Sequence, residues 1–416
     1  MNTTTVTKTS QAQSIARILG DAFAGAFYLP GDAGYDPARL PWQRAIDPHP
    51  AIVAEAHDAA DVRAAVIAAR EHQLPLAVQS TGHGAIRPAD GGLLLKTSRM
   101  NGVRVDPEWR VARIGPGALW SDVIAAAAPY GLAPLSGTSV IGVTGYTLGG
   151  GAGWLSRKYG FAADSLLRAE VVNADGRVLV ASAGEHPDLF WALRGGSGNF
   201  GIVTDLAVRL YPVGPVYAGT AFFEPRHAVE TFACYRDWAM EEPDELNTAV
   251  TLLTLPPVPP IPEPLRGKQV LAIRAFSLSS AEKTERLLEP LFAAAGAPLM
   301  NGFGEKDFAG ASLALGGAAS PPMAVRQHID LFDQLPDTLI DLLIEASDPV
   351  SGSPVTAIEV RHWGGAMSRP APDAGPVGHR HVPFSVIASA ILAAPDTRDR
   401  TNAYVDTFAA NLQPYA

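Results

Sequence analysis

Three stretches of this 416-residue chain hold residue types whose spacing could do chemistry. The first is Gln79-Ser80-Thr81-Gly82-His83-Gly84-Ala85, a run of small residues directly after a short apolar segment. Following a strand, such a loop can turn successive N–H groups toward a pyrophosphate, and Gly82 and Gly84 would let the ligand come close. His83 reads either as a surface-loop histidine or as an imidazole held against a bound ligand, and its flanking glycines favour the second. The second stretch, residues 148–197, opens on Gly149-Gly150-Gly151-Ala152-Gly153 and closes on Phe190-Trp191-Ala192-Leu193-Arg194-Gly195-Gly196. Four glycines in five residues suit neither helix nor ordinary strand, where each costs roughly 1 kcal/mol. The run is either a tight structural crossing or the bed of a ligand, whose charge freed N–H groups could line. The third stretch carries Glu359, Arg361 and His362, candidate catalytic groups ahead of Gly364-Gly365. Strand alternation puts Glu359 and Arg361 on one face and His362 on the other, so all three cannot reach one substrate. They read equally as a salt-bridged surface face with one core histidine.

Several other patterns fail on context. Gly196, Gly198 and Gly201 match G-x-G-x-x-G, but a helical segment precedes them and a strand follows. The dinucleotide fingerprint needs the reverse order, so a Rossmann NAD site is rejected. Residues 137–141 lack the closing glycine of the G-x-S-x-G nucleophile elbow, which argues against a hydrolase. Cys234 is the single cysteine, which excludes an intramolecular disulfide and a cysteine metal cluster. It falls in a helical pattern and reads as a buried, inert thiol. His379 and His381 would share a face of an expected strand, but no third partner accompanies them and no metal site is assigned.

The elements around these stretches follow from periodicity. Residues 51–56 read as a strand, 60–72 as a helix capped by Asp58, and 74–78 as a second strand, a βαβ unit that delivers the His83 loop. Further strands are expected at 91–97, at 103–114 with a turn at Asp106-Pro107-Glu108, and at 166–172, where Asn173 to Arg177 makes a hairpin turn. A helix over 118–128 is stopped by Pro129 and Gly131. A short helix at 188–193 leads through Arg194 to Gly201 into a strand at 202–210. Beyond a boundary near Tyr211 to Pro215, strands at 216–223, 248–255, 270–276 and 355–362 alternate with helices at 228–240, 281–295 and 339–345. This half reads as an antiparallel sheet covered by helices. Six prolines between Pro256 and Pro264 make a stiff connection between two strands.

Composition narrows the class. At this length two domains are expected. A net charge of −10 without a long basic run argues against nucleic acid as a partner. The polar segment 1–13 has no signal-peptide core, and no stretch is long enough to span a membrane, so a cytoplasmic enzyme is expected.

Taken together, residues 79–85, 142–164, 171–178 and 188–203 resemble the berberine-bridge-enzyme-like group of the vanillyl-alcohol-oxidase flavoprotein superfamily, in family order and across nearly the whole chain. The resemblance implies an α+β, two-lobed protein. Residues 1–212 would form a PCMH-type FAD-binding domain and 213–375 a substrate domain whose antiparallel sheet roofs the isoalloxazine. Residues 376–416 would be a C-terminal segment, shortened because the family usually continues past residue 416 into a strand and helix that supply active-site side chains. It implies cofactor contacts from Ser80, Thr81, Gly82, His83, Gly84, Thr138, Ile141, Gly142, Gly145, Gly149, Gly150, Gly151, Gly153, Asp164, Gly198, Asn199, Gly201, Ile202 and Val203.

In that family the loop histidine, here His83, is joined to the flavin 8α-methyl, whose protons the electron-poor ring acidifies. Thr138 stands where many members carry a second, cysteine link, so the resemblance leaves a single bond through His83 or none. Ile141 falls where side-chain size tunes oxygen access, which leaves oxidase against dehydrogenase open. The implied reaction is hydride transfer to flavin N5 from an alcohol, amine or activated C–H compound, with O2 as electron acceptor. The apolar, proline-rich second half points to a hydrophobic small-molecule substrate. The alternatives are a flavin-binding protein without redox turnover and a flavoenzyme of net isomerising or ring-forming outcome. Oligomeric state is open.

Overall fold

A computed structural model describes residues 19–20, 22–317, 321–392 and 395–416. The segment 1–13 lies outside them.

The first lobe is built from two sheets on a shared helix. Asp58 accepts hydrogen bonds from the N–H groups of Ala60 and Asp61, which starts the helix Ala59–Glu71. That helix connects Ile52–Glu55 to Leu76–Gln79, both of which pair in parallel with Leu93–Lys96. The expected βαβ unit is therefore present with a third strand between its two, and Ala26–Tyr28 pairs antiparallel with Ile52–Glu55 at the far edge. The second sheet has five strands in the order Val103–Asp106, Val111–Ile114, Ile202–Arg209, Leu166–Val172, Val178–Ser182. Val62 and Ala65 of the helix share one apolar cluster with Leu93 and Leu95 of the first sheet and Val172 and Ile202 of the second. Pro129 does not end the preceding helix, Trp120–Ala127, by breaking it. It sits inside a following 3-10 turn, Ala128–Tyr130, where its missing N–H is not needed.

The second lobe is one large antiparallel sheet, in the order Met300–Asn301, Val216–Phe223, Gln269–Ser277, Leu246–Thr254, Ala357–His362, Phe384–Ile391, Val325–Phe332, with Gly304–Lys306 also on Val216–Phe223. Helices Ala228–Ala239, Ala281–Ala295, Asp337–Ser347 and Arg398–Leu412 cover one face, packing Phe232, Leu288, Leu339 and Phe408 against Val250, Ile273 and Val360. Residues 384–391 and 398–412, set apart within 376–416 in the sequence reading, belong to this lobe. Phe384–Ile391 lies between Ala357–His362 and Val325–Phe332 in the sheet, and Arg398–Leu412 joins the same core. The proline-rich segment links the antiparallel neighbours Leu246–Thr254 and Gln269–Ser277, as its position between two strands predicts.

Two smaller expectations are overturned. His379 and His381 lie in a turn, with His379 at φ 54° and the rings 6.5 Å apart, because Pro383 and the turn geometry delay the strand to Phe384. Cys234 is partly buried rather than enclosed, midway along the helix Ala228–Ala239 with Sγ 3.7 Å from the Pro290 carbonyl oxygen.

One arginine pegs the lobes together. Arg157, in the short helix Ser156–Tyr159 of the first lobe, is 2% exposed although charged. Its guanidinium donates to the carbonyls of Leu246 (2.9 Å), Glu242 and Trp363, all in the second lobe, and lies 3.5 Å from the Glu242 carboxylate.

Candidate cofactor and substrate site

A cavity of about 600 Å³ opens where Leu76–Gln79 ends, between the two sheets of the first lobe. Ser80, Thr81, Gly82, His83, Gly84, Ile141, Gly142, Gly145, Gly198, Gly201, Ile202 and Val203 line it. The His83 loop is held from outside. Trp42 and Gln43 donate backbone hydrogen bonds to the carbonyls of Thr81 (3.3 Å) and Gly82 (3.2 Å). Gly82, at φ 71°, packs so closely on Pro41 that a Cβ would lie 2.5 Å from it. The imidazole of His83 stacks on Trp42, with centroids 4.0 Å apart and planes at 24°. Burial lowers the His83 pKa, so the ring is neutral near pH 7. Its Nδ1 is buried and has no hydrogen-bond partner among the described residues.

Thr138, Gly149, Gly150, Gly151, Gly153, Asp164 and Asn199 are not among the residues that line this cavity. The run is a tight crossing. A Cβ at Gly151 would lie 2.5 Å from the Tyr146 ring, and one at Gly153 would lie 2.0 Å from the Ser136 carbonyl oxygen. Gly137 also faces Tyr146, at 2.7 Å. Gly150 and Gly195 face Val377, 3.4 and 2.5 Å from a would-be Cβ. These glycines seat one aromatic ring and one strap of the chain. Tyr146 itself does line the cavity, with its hydroxyl buried and unpartnered. Burial raises its pKa far above the ordinary phenol value, so it is a donor and not a base. Asp164 accepts from Phe161 N–H (2.9 Å) and forms a two-pronged pair with Arg380 at 2.7 and 2.9 Å, while Asn199 is exposed. Thr138 accepts a 3.1 Å hydrogen bond from Ile141 N–H through its carbonyl.

The substrate-side candidates split as alternation requires. His362 points into the helix-side core, 5% exposed, with Nδ1 2.8 Å from Glu242 Oε2 and its ring against Phe384. It is removed from the catalytic set. Glu359 and Arg361 face the other way. Glu359 accepts from Arg274 Nη1 (2.8 Å) and Thr251 Oγ1 (3.4 Å), and Arg361 Nη2 lies 3.4 Å from its second oxygen. Burial alone would raise the Glu359 carboxyl, but Arg361, Arg274 and Thr251 together hold it below its ordinary value. So clamped it is an ionised anchor and a poor general base. The Arg361 guanidinium lies 4.0 Å over the Trp154 ring, joining the lobes.

The cavity fits FAD on its own chemistry. A Cβ built on Gly84, Gly145 or Gly198 meets nothing within 4 Å, so these positions leave room that a ligand would fill. Ser80 Oγ, His83 Nδ1 and Tyr146 OH are buried polar atoms without partners among the described residues. Trp42, Tyr146 and Trp154 escape sequence reasoning; a tryptophan just after Pro41 and a tyrosine among glycines are the only local signals.

Residues 50–182 match the FAD binding domain family. The chain is 38% identical over 190 residues to the (R)-6-hydroxynicotine oxidase of Paenarthrobacter nicotinovorans, covering 45% of this chain and 42% of that protein. It thus spans less than half the length of that curated relative. The fold matches BBE-like 1 of Physcomitrella patens with a TM-score of 0.84 at 20% identity, over 97% of this chain and 89% of that one. It matches the xylooligosaccharide oxidase from Myceliophthora thermophila C1 at 0.82 and 22% identity, over 97% and 88%. By fold and matched domain this is a two-lobed α+β protein with an FAD-binding lobe. Its fold is the one seen in BBE-like 1, and the FAD binding domain match falls within the first lobe.

Proposed function

We propose that this chain is an FAD-dependent oxidoreductase that takes a hydride from a small alcohol, amine or activated C–H substrate, with the flavin joined through His83 alone and reoxidised by O2. FAD, when bound, supplies the hydride acceptor at N5. The chain's residues do the rest: Ser80 and the backbone around Gly82 and Gly84 cradle phosphate, Trp42 holds the imidazole plane, and the sheet face that brings Arg361 onto Trp154 would position substrate.

The observation that carries the reading is the His83 ring, fixed by Trp42, neutral by burial, with a buried Nδ1 left unpaired on a cavity wall. A neutral, oriented imidazole nitrogen is the nucleophile a single covalent link needs. With Thr138 in place of a thiol, a second link of the cysteine kind has no donor. The aromatic wall at Tyr146 suits a substrate with a flat apolar part. A cytoplasmic location belongs to the same proposal and is checked by cell fractionation.

Acid precipitation of the purified protein tests the link. We expect a yellow pellet and an intact mass above the polypeptide by one FAD, both lost in His83→Ala. Colour that washes into the supernatant would refute the covalent bond. Oxygen uptake with peroxide release on substrate addition checks the acceptor, and reduction without oxygen uptake would make the protein a dehydrogenase.

A further inference from the structure

One side of the second lobe's sheet carries charge toward the first lobe. In register, Glu359 lies opposite Thr251, and Arg361 and Arg274 both lie opposite Ala249, which groups them on one face. The side chains are 14, 17 and 23% exposed for Glu359, Arg361 and Arg274. Two guanidiniums and one carboxylate leave one positive charge unbalanced in a sheltered place. Arg361 Nε is buried and has no hydrogen-bond partner among the described residues, and neither has the Tyr146 hydroxyl, which feels the Arg361 charge from the opposite lobe. The Tyr146 hydroxyl lies 3.2 Å from where a Cβ on Gly153 would stand, one residue before the Trp154 ring that carries the Arg361 guanidinium at 4.0 Å, so two unpaired buried donors and a surplus positive charge share one neighbourhood, half of a recognition site. Tyr146 is also a wall of the cofactor cavity, which places this half-site beside the reaction centre.

Resting on the oxidoreductase reading above, we infer that the substrate carries a carboxylate, bound between Arg361 and Tyr146, with its apolar or aromatic body against Trp154. The Nε–H and the phenol O–H offer one donor to each carboxylate oxygen. A single negative charge balances the site, whereas a dianion such as a phosphate monoester would meet the Glu359 carboxylate. Glu359 and Arg274 act one step removed, fixing the Arg361 plane and leaving its Nε edge free.

Calorimetric titration of the flavin-loaded protein with phenylacetate and 3-phenylpropionate, each against its amide, tests this. At least one acid should bind about tenfold or more tightly than its amide, the effect of a charge-assisted pair. Arg361→Gln should bring that preference to within about twofold, Arg361→Lys should keep part of it, and Tyr146→Phe, which retains the ring, should lower it several-fold. Equal binding of acids and amides, binding of neither acid, or a preference that survives both Arg361→Gln and Tyr146→Phe would overturn the inference. Visible absorbance before each titration reports on the flavin separately. A colourless protein that still prefers acids keeps the carboxylate site and loses the flavin reading, and a yellow protein indifferent to charge does the converse.

Discussion

Tyr146 sits where Gly137, Gly151 and Gly153 all leave out a side chain, and Gly145 beside it faces open cavity. Two neighbouring glycine-to-alanine changes should therefore fail differently. In Gly151→Ala the Cβ meets the Tyr146 ring at 2.5 Å and Ala162 Cβ at 2.9 Å, from a backbone at φ 77°. Overpacking of this kind costs about 1–3 kcal/mol, so the urea midpoint should fall. Gly145→Ala lies inside the helix Val143–Leu148 with no atom in its way, so stability should hold or rise while flavin content drops as the methyl enters the cavity. Glu359 gives a test by pH. Its folded pKa lies below the ordinary 4.5, so its contribution is complete above that value and is lost as pH falls through the lower, folded value. Glu359→Gln should flatten the loss of stability below pH 4.5, read from urea midpoints across acid pH. The sequence carried the His83 loop and the split of Glu359 and Arg361 from His362, because loop chemistry and period-two alternation are local. It did not show that Glu359 is clamped by Arg274, 85 positions away.

At the scale of elements, the turn-rich strap around Val377 gives the glycine crossings their partner. Gly375 backs onto Arg194, Val377 fills the space over Gly150 and Gly195, and Arg380 grips Asp164 while lying 4.9 Å over Phe161. Arg380→Met would leave Asp164, whose side chain is 20% exposed, without its cation. Breaking such a pair from one side costs about 3 kcal/mol, and thermal unfolding should show the loss. Hairpins and amphipathic helices were legible, since 216–223 and 281–295 match their strand and helix to the residue. The strap and the insertion of Phe384–Ile391 into the sheet were not, because neither leaves a local period.

Across the whole molecule the lobes share one apolar cluster, in which Val216, Ala218 and Phe276 join Ile114 and Trp120, and buried polar contacts tie them further. Arg157 reaches the carbonyls of Leu246, Glu242 and Trp363, and Gln43, next to Trp42, exchanges 3.0 Å hydrogen bonds with the backbone of Val325. Arg157→Met would strand Glu242, 0% exposed at its side chain, with His362 as its remaining partner. The expected result is a split of one unfolding transition into two, followed by calorimetry. These ties join positions far apart in synthesis: 216 residues separate Asp164 from Arg380, 205 separate Arg157 from His362, and 282 separate Gln43 from Val325. A nascent chain still lacking residue 370 on the ribosome has every lining residue of the cavity yet none of the strap that closes the crossing beneath it. Flavin loading then comes after translation, so stalled chains ending before residue 370 should be colourless and cut by protease within the first lobe, and release of the full chain should bring both colour and resistance.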